Sequence, residues 1–209
     1  MTQESWRAGG QRQRPPGLRA SWMAAGILGA VMLASSPTAA DTLTGRVIRV
    51  VDGDTVALLD EHANIQKIRL AGIDSPECGM PYGPAAKTYL EDLVLGKTVQ
   101  AFTTRHDRYW RTVATLVLDG HDVGLALVQA GMAWNDRRYP VVHHGLGGPA
   151  DYGRAEQEAR WVSKGLWQQS AAMPPWLWRA VNKGPGSGRI KCKSAVPNGW
   201  QSSAQGVFF

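Results

Sequence analysis

Beyond the first forty residues, hydrophobic and polar residues alternate in short runs that are separated by turn signals. The run at 45–51 predicts a strand, Asp52-Gly53-Asp54 predicts a tight turn, and 55–59 predicts the returning strand of a hairpin. The run at 65–73 predicts a third strand, which Pro76 must end because proline has no amide hydrogen to donate to a sheet. These elements predict an antiparallel sheet.

The rest of the chain adds helices and two more strands. Apolar residues at helical spacing predict a helix at 84–95, and β-rich runs at 98–104 and 112–118 predict strands four and five. Two further helices are predicted at 123–130 and 152–163. Because the strands precede the helices without regular alternation, we predict an α+β, mainly β fold: a five-stranded, Greek-key OB barrel with about three helices.

The first forty residues follow another pattern. Four arginines up to Arg19 precede an uncharged apolar run at 22–34, and small residues end the segment at Ala40. This layout is typical of a secretory signal, and the run is shorter than the roughly 20 apolar residues of a membrane-spanning helix. We therefore predict export to the periplasm or the extracellular space, cleavage after Ala40 and no stable membrane insertion afterwards. An uncleaved signal anchor is the alternative.

Segment boundaries follow from these patterns. Residues 41–168 are predicted to form one compact domain, and 169–209 a partly irregular tail that contains Trp, Pro and Gly. The run at 173–179 could dock its tryptophans on the domain, whereas 183–188 has the composition of a linker.

Net charge and cysteine content exclude few classes of function. The chain carries +6, and removal of the leader with its four arginines and one glutamate leaves +3. A mild basic excess suits a polyanionic ligand, although solubility explains it equally well. The only two cysteines, Cys78 and Cys192, are too few for a disulfide scaffold. They can pair in an oxidising compartment or stay as thiols.

Four carboxylates stand at the ends of strands that neighbour one another in the predicted barrel: Asp52, Asp54, Asp74 and Glu77. Grouped carboxylates repel one another unless a hard cation is present, and a set of oxygen ligands suits Ca²⁺ or Mg²⁺ rather than Zn²⁺. Each residue alone is also explained as a turn or surface residue. The group nevertheless indicates a metal site.

Two arginines accompany these acids. Arg69 lies inside an apolar strand, and Arg111 directly precedes strand five. The guanidinium fork matches the oxygen geometry of a phosphate and can stabilise the charge of a pentacoordinate phosphorane. Salt bridges to the same acids, or exposed strand positions, are the alternative explanations.

Four motifs in this order and spacing closely resemble the thermonuclease family, also called staphylococcal nuclease-like, in its exported bacterial form. They are Val51-Asp52-Gly53-Asp54-Thr55, the run at 68–77, Tyr82-Gly83-Pro84 and Asp107-Arg108-Tyr109-Trp110-Arg111, and the resemblance spans residues 43–167. It implies a calcium-dependent nuclease that hydrolyses phosphodiester bonds in DNA and RNA. The 5′ oxygen would leave, giving 3′-phosphate ends.

The resemblance also implies a role for individual residues. Asp54 and Asp74 would bind Ca²⁺ through carboxylate oxygens and Ser75 through its backbone carbonyl, with Asp52 as a supporting acid. Glu77 would act as the general base or position the attacking water.

For the substrate, the resemblance implies that Arg69 and Arg111 grip the scissile phosphate and that Tyr109 and Tyr139 line the nucleotide pocket. Trp110 stands where the family commonly has glycine, which puts the shape of the pocket mouth in question. We expect a monomer. The alternative functions are a non-catalytic OB-fold module that binds nucleic acid, and a secreted wall-associated protein.

Overall fold

The computed structural model describes residues 42–141 and 147–182. The predicted signal at 1–40, Cys192 and the rest of 183–209 lie outside the described residues, so signal cleavage and pairing of the two cysteines stay predictions. Within the described ranges, no helix is both long enough and apolar enough to cross a bilayer.

A closed barrel of five strands forms the centre of the domain. The strands of the structure are β1 (Thr42–Asp52), β2 (Thr55–Asp60), β3 (Ile65–Leu70), β4 (Ile73–Asp74), β5 (Thr98–His106), β6 (Thr112–Leu118), β7 (His121–Asp122) and β8 (Trp134–Asn135). In the barrel, β3, β2, β1, β5 and β6 follow one another as antiparallel neighbours, and a parallel pairing of β3 with β6 closes it. The predicted OB-type barrel is confirmed.

Within residues 42–141 and 147–182, four α-helices and one 3₁₀ turn accompany the barrel. They are α1 (Gly83–Val94), α2 (Val123–Gln129), α3 (Pro149–Trp161), the 3₁₀ turn Gly165–Gln168 and α4 (Pro175–Val181). The first three helices match the predicted ones, each within three residues at its start. The fourth lies in the tail, where the sequence pattern gave no helix.

The core lies between the inward faces of the barrel strands and one face of α1. Val47 and Leu58 point inward from β1 and β2, and Tyr89 and Leu90 of α1 pack in the same buried cluster. All four are at most 1% exposed. Burial of an aliphatic side chain of this size contributes about 1.5–3 kcal/mol, so this cluster is a main source of barrel stability.

The third strand is shorter than predicted. It ends at Leu70, and the chain turns at Gly72, whose φ of +74° favours glycine. A Cβ at Gly72 would also lie 2.9 Å from the ring of Tyr152. After the turn, β4 leaves the barrel and pairs with β8, so that Asp74 faces Trp134 across a separate two-stranded sheet.

The tail helix α4 packs on this small sheet through tryptophan. Trp176 meets the ring of Trp134 edge-on, with centroids 5.5 Å apart, and Trp134 meets Trp167 in the same way at 4.4 Å. Pro175, the first residue of the helix, is buried. The prediction that the tail docks its tryptophans is therefore confirmed for Trp176.

Candidate active site

The turn between β1 and β2 is clamped onto the segment that follows β4. The hydroxyl of Ser75 donates a hydrogen bond to the carbonyl of Gly53 over 2.7 Å. A Cβ at Gly53 would lie only 2.8 Å from the Cβ atoms of Ser75 and Ala86, which is closer than real Cβ contacts. Glycine therefore permits the close approach that places Asp54 against the start of the Ser75 loop.

Asp54 and Asp74 meet around one guanidinium group. Nη2 of Arg69 lies 3.3 Å from Oδ2 of Asp54 and 3.6 Å from Oδ1 of Asp74. Asp54 is 7% exposed and Asp74 is 1% exposed. The backbone N–H of Ser75 also donates to Oδ2 of Asp54 over 3.2 Å. The structure thus brings together the three residues expected to hold a cation.

Arg69 lies beneath the two carboxylates. Its Nη1 donates to the carbonyl of Leu70 over 2.5 Å and its Nη2 to the carbonyl of Ile73 over 2.7 Å. The side chain is only 4% exposed. These bonds fix the guanidinium within the turn that follows β3, and its nearest charged partners are Asp54 and Asp74. The predicted contact of Arg69 with a phosphate stays a prediction.

The acids of the site perturb one another. Burial and the nearby charge of Asp54 raise the pKa of Asp52 to about 7. Burial also raises the pKa of Asp74, and the charge of Asp54 adds to this rise although Arg179 and Arg69 oppose it. Burial alone would raise the pKa of Asp54 too, but Arg69 and other donors hold it below its usual value. A bound cation would relieve this repulsion.

Arg111 reaches the same site through Thr55. Its Nη1 donates to Oγ1 of Thr55 over 3.3 Å, and that hydroxyl donates to Oδ1 of Asp54 over 2.9 Å. On its other side, the guanidinium forms an ion pair with Asp107, with Nε and Nη2 each 2.7 Å from Oδ2. The structure therefore holds the fork of Arg111 beside the carboxylates, and its contact with a phosphate stays a prediction.

The turn before β6 is organised by Asp107. Its Oδ1 accepts backbone N–H bonds from Tyr109 over 2.8 Å and from Arg111 over 3.0 Å. Tyr109 is 55% exposed and Trp110 is 85% exposed. Trp110 takes a left-handed φ of +58°, the conformation that glycine would adopt without strain at this position. The predicted pocket residue Tyr109 therefore stands at the open edge of the site.

Tyr139 stacks against arginines at the other edge. Its ring centre lies 5.2 Å from the guanidinium carbon of Arg69 and 5.4 Å from that of Arg105. Its backbone carbonyl accepts a hydrogen bond from the N–H of Gly72. The ring is thus anchored next to the turn that precedes Asp74, where a substrate pocket was expected.

Glu77 is bound by a residue that the sequence analysis did not place in the site. Nη1 of Arg179, in α4, donates to Oε1 of Glu77 over 2.6 Å and to Oδ1 of Asp74 over 3.1 Å. Nη2 of Arg179 donates to Oδ2 of Asp74 over 2.5 Å. The guanidinium therefore engages both oxygens of Asp74 and one oxygen of Glu77. The side chain of Glu77 is 32% exposed, so it remains open to water.

Arg138 is a second arginine that the sequence analysis missed. Its Nη2 donates to Oδ2 of Asp74 over 3.0 Å, and its Nε and Nη2 each donate to an oxygen of Asp136 over 2.8 Å. Its guanidinium carbon lies 5.1 Å from the ring centre of Trp176. The pair Asp136–Arg138 follows β8, the strand that pairs with β4. Because β8 was not predicted, the sequence pattern did not indicate that Arg138 reaches Asp74.

The donor set around the turn suits a hard cation and not a softer one. Asp54 and Asp74 offer carboxylate oxygens side by side, and Ser75 offers a backbone carbonyl on the same loop. Among the described residues, no group of three or more His, Cys, Asp or Glu side chains could enclose a metal ion by themselves. A cation at Asp54 and Asp74 would therefore need water or substrate oxygens to complete its shell.

Comparisons with known proteins agree with this arrangement. The family model described as staphylococcal nuclease homologue matches residues 67–169. A micrococcal nuclease of Shigella flexneri is 38% identical over 162 residues, covering 73% of this chain and 89% of that protein. A protein of Escherichia coli O157:H7, described as an uncharacterized endonuclease, is 36% identical over 149 residues, covering 69% of this chain and 90% of its own.

The fold, the order of the motifs and the similarity over most of each relative's length together identify the family of this chain. The barrel, the paired acids and the arginine before β6 are found in a chain that covers about nine tenths of these nuclease relatives. The chain belongs to the staphylococcal nuclease-like (thermonuclease) family and is a nuclease, a hydrolase that acts on nucleic acids.

Proposed function

We propose that this nuclease depends on calcium, cleaves phosphodiester bonds in both DNA and RNA, and releases the 5′ oxygen to leave 3′-phosphate ends. The observation that carries the proposal is the meeting of Asp54 and Asp74, which approach the same nitrogen of Arg69 to 3.3 Å and 3.6 Å. Two buried carboxylates this close gain from a divalent cation, and oxygen ligands favour Ca²⁺.

The cation would be held by Asp54, Asp74 and the carbonyl of Ser75. Asp52 would be a supporting acid one hydrogen bond away, because Oδ1 of Asp52 accepts the backbone N–H of Asp54 over 3.2 Å. When bound, the cation acts as a Lewis acid that offsets charge on the phosphate oxygens. The remaining chemistry falls to side chains of this chain.

Glu77 would take a proton from the attacking water or hold that water in line with phosphorus. Its partial exposure supports this role, because a general base must reach solvent and substrate at once. Oxygen from water bonds to phosphorus, the bond to the 5′ oxygen breaks, and that oxygen takes a proton from solvent to become a hydroxyl. The phosphate stays on the 3′ side.

Arg111 would donate hydrogen bonds to the phosphate as its negative charge grows. Its ion pair with Asp107 and its contact with Thr55 hold the fork in place before the substrate arrives. Arg69 would add a fixed positive charge from its position beneath the carboxylates of Asp54 and Asp74. Tyr109 and Tyr139 would contact the nucleotide with their rings, and because stacking tolerates every base, weak sequence preference is expected.

The cellular setting is part of the proposal. The leader has a basic start, then an apolar run, then small residues. This layout supports export to the periplasm or the extracellular space, and an uncleaved anchor is the alternative. We propose that the mature chain acts as a monomer. Edman sequencing of protein from the culture medium and the periplasm tests export and cleavage, since they predict Asp41 as the first residue.

Hydrolysis of labelled DNA and RNA by residues 41–209 tests the enzymatic proposal. Parallel reactions contain Ca²⁺, Mg²⁺ or a chelator, and products are treated with a phosphatase specific for 3′ ends. The proposal expects cleavage of both polymers with Ca²⁺, none with chelator, and a mobility shift after phosphatase. Equal cleavage in chelator would refute the cation dependence, and products resistant to the phosphatase would refute the cleavage direction.

A further inference from the structure

Trp110 combines two unfavourable features at the edge of the site. Its side chain is 85% exposed, so a large apolar ring faces water. Its backbone has a φ of +58°, a left-handed conformation that is strained for a residue with a Cβ. Strained backbone that persists in a fold often serves a site. The ring of His106 lies 6.5 Å away and covers little of the indole.

The surroundings of Trp110 suit a nucleic-acid strand. Tyr109 precedes it and is itself 55% exposed, and the guanidinium groups of Arg108 and Arg111 lie 4.9 Å and 5.6 Å from the Tyr109 ring centre. Arg111 in turn contacts Thr55 beside the acids of the site. Exposed aromatic rings with interleaved positive charges are the usual platform for unpaired bases.

We propose that Trp110 is a substrate-binding residue that stacks on an unpaired base of the strand whose phosphate lies at Arg111. This rests on the proposed function, in which Arg111 binds the scissile phosphate. The stacked base would lie just outside the nucleotide held by Tyr109 and Tyr139. The added contact would favour single-stranded or frayed regions over regular duplex.

Fluorescence anisotropy with two labelled 12-mers tests the stacking: an oligothymidylate and a strand of the same charge that lacks all bases. The Glu77→Gln chain, in chelator, serves as parent so that both strands stay intact. Trp110→Gly should weaken oligothymidylate binding about tenfold and leave the abasic strand unaffected, because only bases can stack. Trp110→Phe should retain most of the affinity.

Trp161 supplies the matched control, because it is 89% exposed on α3 and lies in no part of the site. Trp161→Ala should bind both strands as the parent does. Glycine suits a φ of +58°, so Trp110→Gly should melt no lower than its parent. Equal oligothymidylate binding by parent and Trp110→Gly would overturn the inference. An equal loss on the abasic strand would do the same.

Arg179 supports a second, independent inference about the cation. Its guanidinium binds both oxygens of Asp74 and one oxygen of Glu77, so it uses the same oxygens that the proposed function assigns to the cation and the water. Asp54, Asp74 and Glu77 carry three negative charges when ionised, and Arg69 offsets one. Arg138 also donates to Asp74, but its positive charge is offset by its ion pair with Asp136. The remaining two negative charges match a divalent cation, whereas Arg179 adds a positive charge that competes with it.

The element that carries Arg179 is short. The helix α4 has seven residues, and the ring of its Trp176 packs edge-on against the ring of Trp134 in the two-stranded sheet. We infer that α4 is an autoinhibitory segment whose Arg179 competes with the cation for Asp74. This inference rests on the proposed cation site.

Calorimetric titration of Ca²⁺ into residues 41–209 tests the competition without measuring activity. Arg179→Gln should bind Ca²⁺ about fivefold or more tightly than the parent, because one competing charge is gone. Arg179→Lys should fall between them, since an ammonium group keeps the charge but not the fork. Melting curves show that each variant is folded.

Arg154→Gln is the control, since Arg154 is an exposed arginine of α3 whose ion pair is with Asp151. It should bind Ca²⁺ as the parent does. Parental or weaker affinity of Arg179→Gln would overturn the competition while leaving the cation site intact. A complete lack of Ca²⁺ binding by every chain would instead overturn the proposed function and, with it, this inference.

Discussion

The backbone N–H of Ser75 donates a hydrogen bond to the carboxylate of Asp54 over 3.2 Å, although the two residues stand 21 positions apart. This bond ties the tip of the first hairpin to the loop that leaves β4. The Ser75 hydroxyl adds a second tie, to the carbonyl of Gly53. The position of one predicted cation ligand is therefore set by the backbone of another.

Gly53 should be sensitive to the smallest added side chain. Gly53→Ala puts a methyl group 2.8 Å from the Cβ atoms of Ser75 and Ala86, so the turn must move away from the loop. We expect a loss of about 1–3 kcal/mol in the free energy of unfolding and weaker Ca²⁺ binding. Urea denaturation measures the first. Gly153→Ala is the control, because its nearest neighbour would be 3.8 Å away and alanine favours a helix.

Glu77→Gln should lower kcat by several powers of ten without loss of stability. The amide keeps the size of the side chain but cannot accept a proton from water. Single-turnover hydrolysis of a labelled oligonucleotide measures the rate, and thermal melting checks the fold. A variant as fast as the parent would remove Glu77 from the mechanism.

Arg111→Lys should lower kcat by at least about a hundredfold, because an ammonium group cannot reproduce the fork that bonds Asp107 and that, in the proposed function, binds the phosphate. Steady-state kinetics at saturating Ca²⁺ checks this. Arg108→Lys is the matched control on the same turn, where Arg108 contacts the Tyr109 ring, and it should keep kcat within a few-fold. Similar losses in both variants would refute a specific phosphate role.

Asp107 should stabilise the turn in a pH-dependent way. Burial alone would raise its pKa, but the backbone N–H and side chain of Arg111 and the N–H of Tyr109 hold it below its usual value. A carboxyl with a lowered folded pKa contributes stability above its unfolded pKa, and the contribution disappears as pH falls through the folded value.

The matching variant is Asp107→Asn. Asp107→Asn should cost about 1–2 kcal/mol of unfolding free energy at pH 7, where the charged hydrogen bonds are lost, and less near pH 3. Urea denaturation at both pH values measures the difference. A cost that is the same at the two pH values would contradict the assigned cause.

The sequence predicted the parts of the site that depend on local signals. Gly53 marked the hairpin, Pro76 marked the end of the β4 segment, and the resemblance placed Arg111 before its strand. The barrel followed from the order of alternating runs, because period-two patterns report which face of a strand is buried.

What sequence could not predict depends on packing between distant segments. Arg179 meets Asp74 across 105 positions, and the packing of Trp176 on Trp134 and Arg138 brings its helix there. A seven-residue helix has little intrinsic stability, so propensity gives no signal for it. The break of the third strand was also missed, because the apolar run 68–73 hides the left-handed turn at Gly72.

Titration of Ca²⁺ into residues 41–209 and into the variants Asp54→Asn and Asp74→Asn measures whether the two acids bind the same ion. We expect one Ca²⁺ per parent chain and at least a tenfold loss of affinity in each variant, because each substitution removes a charged oxygen ligand from the same ion. Parental affinity in either variant, or no Ca²⁺ bound by the parent, would contradict the claim that Asp54 and Asp74 form the cation site.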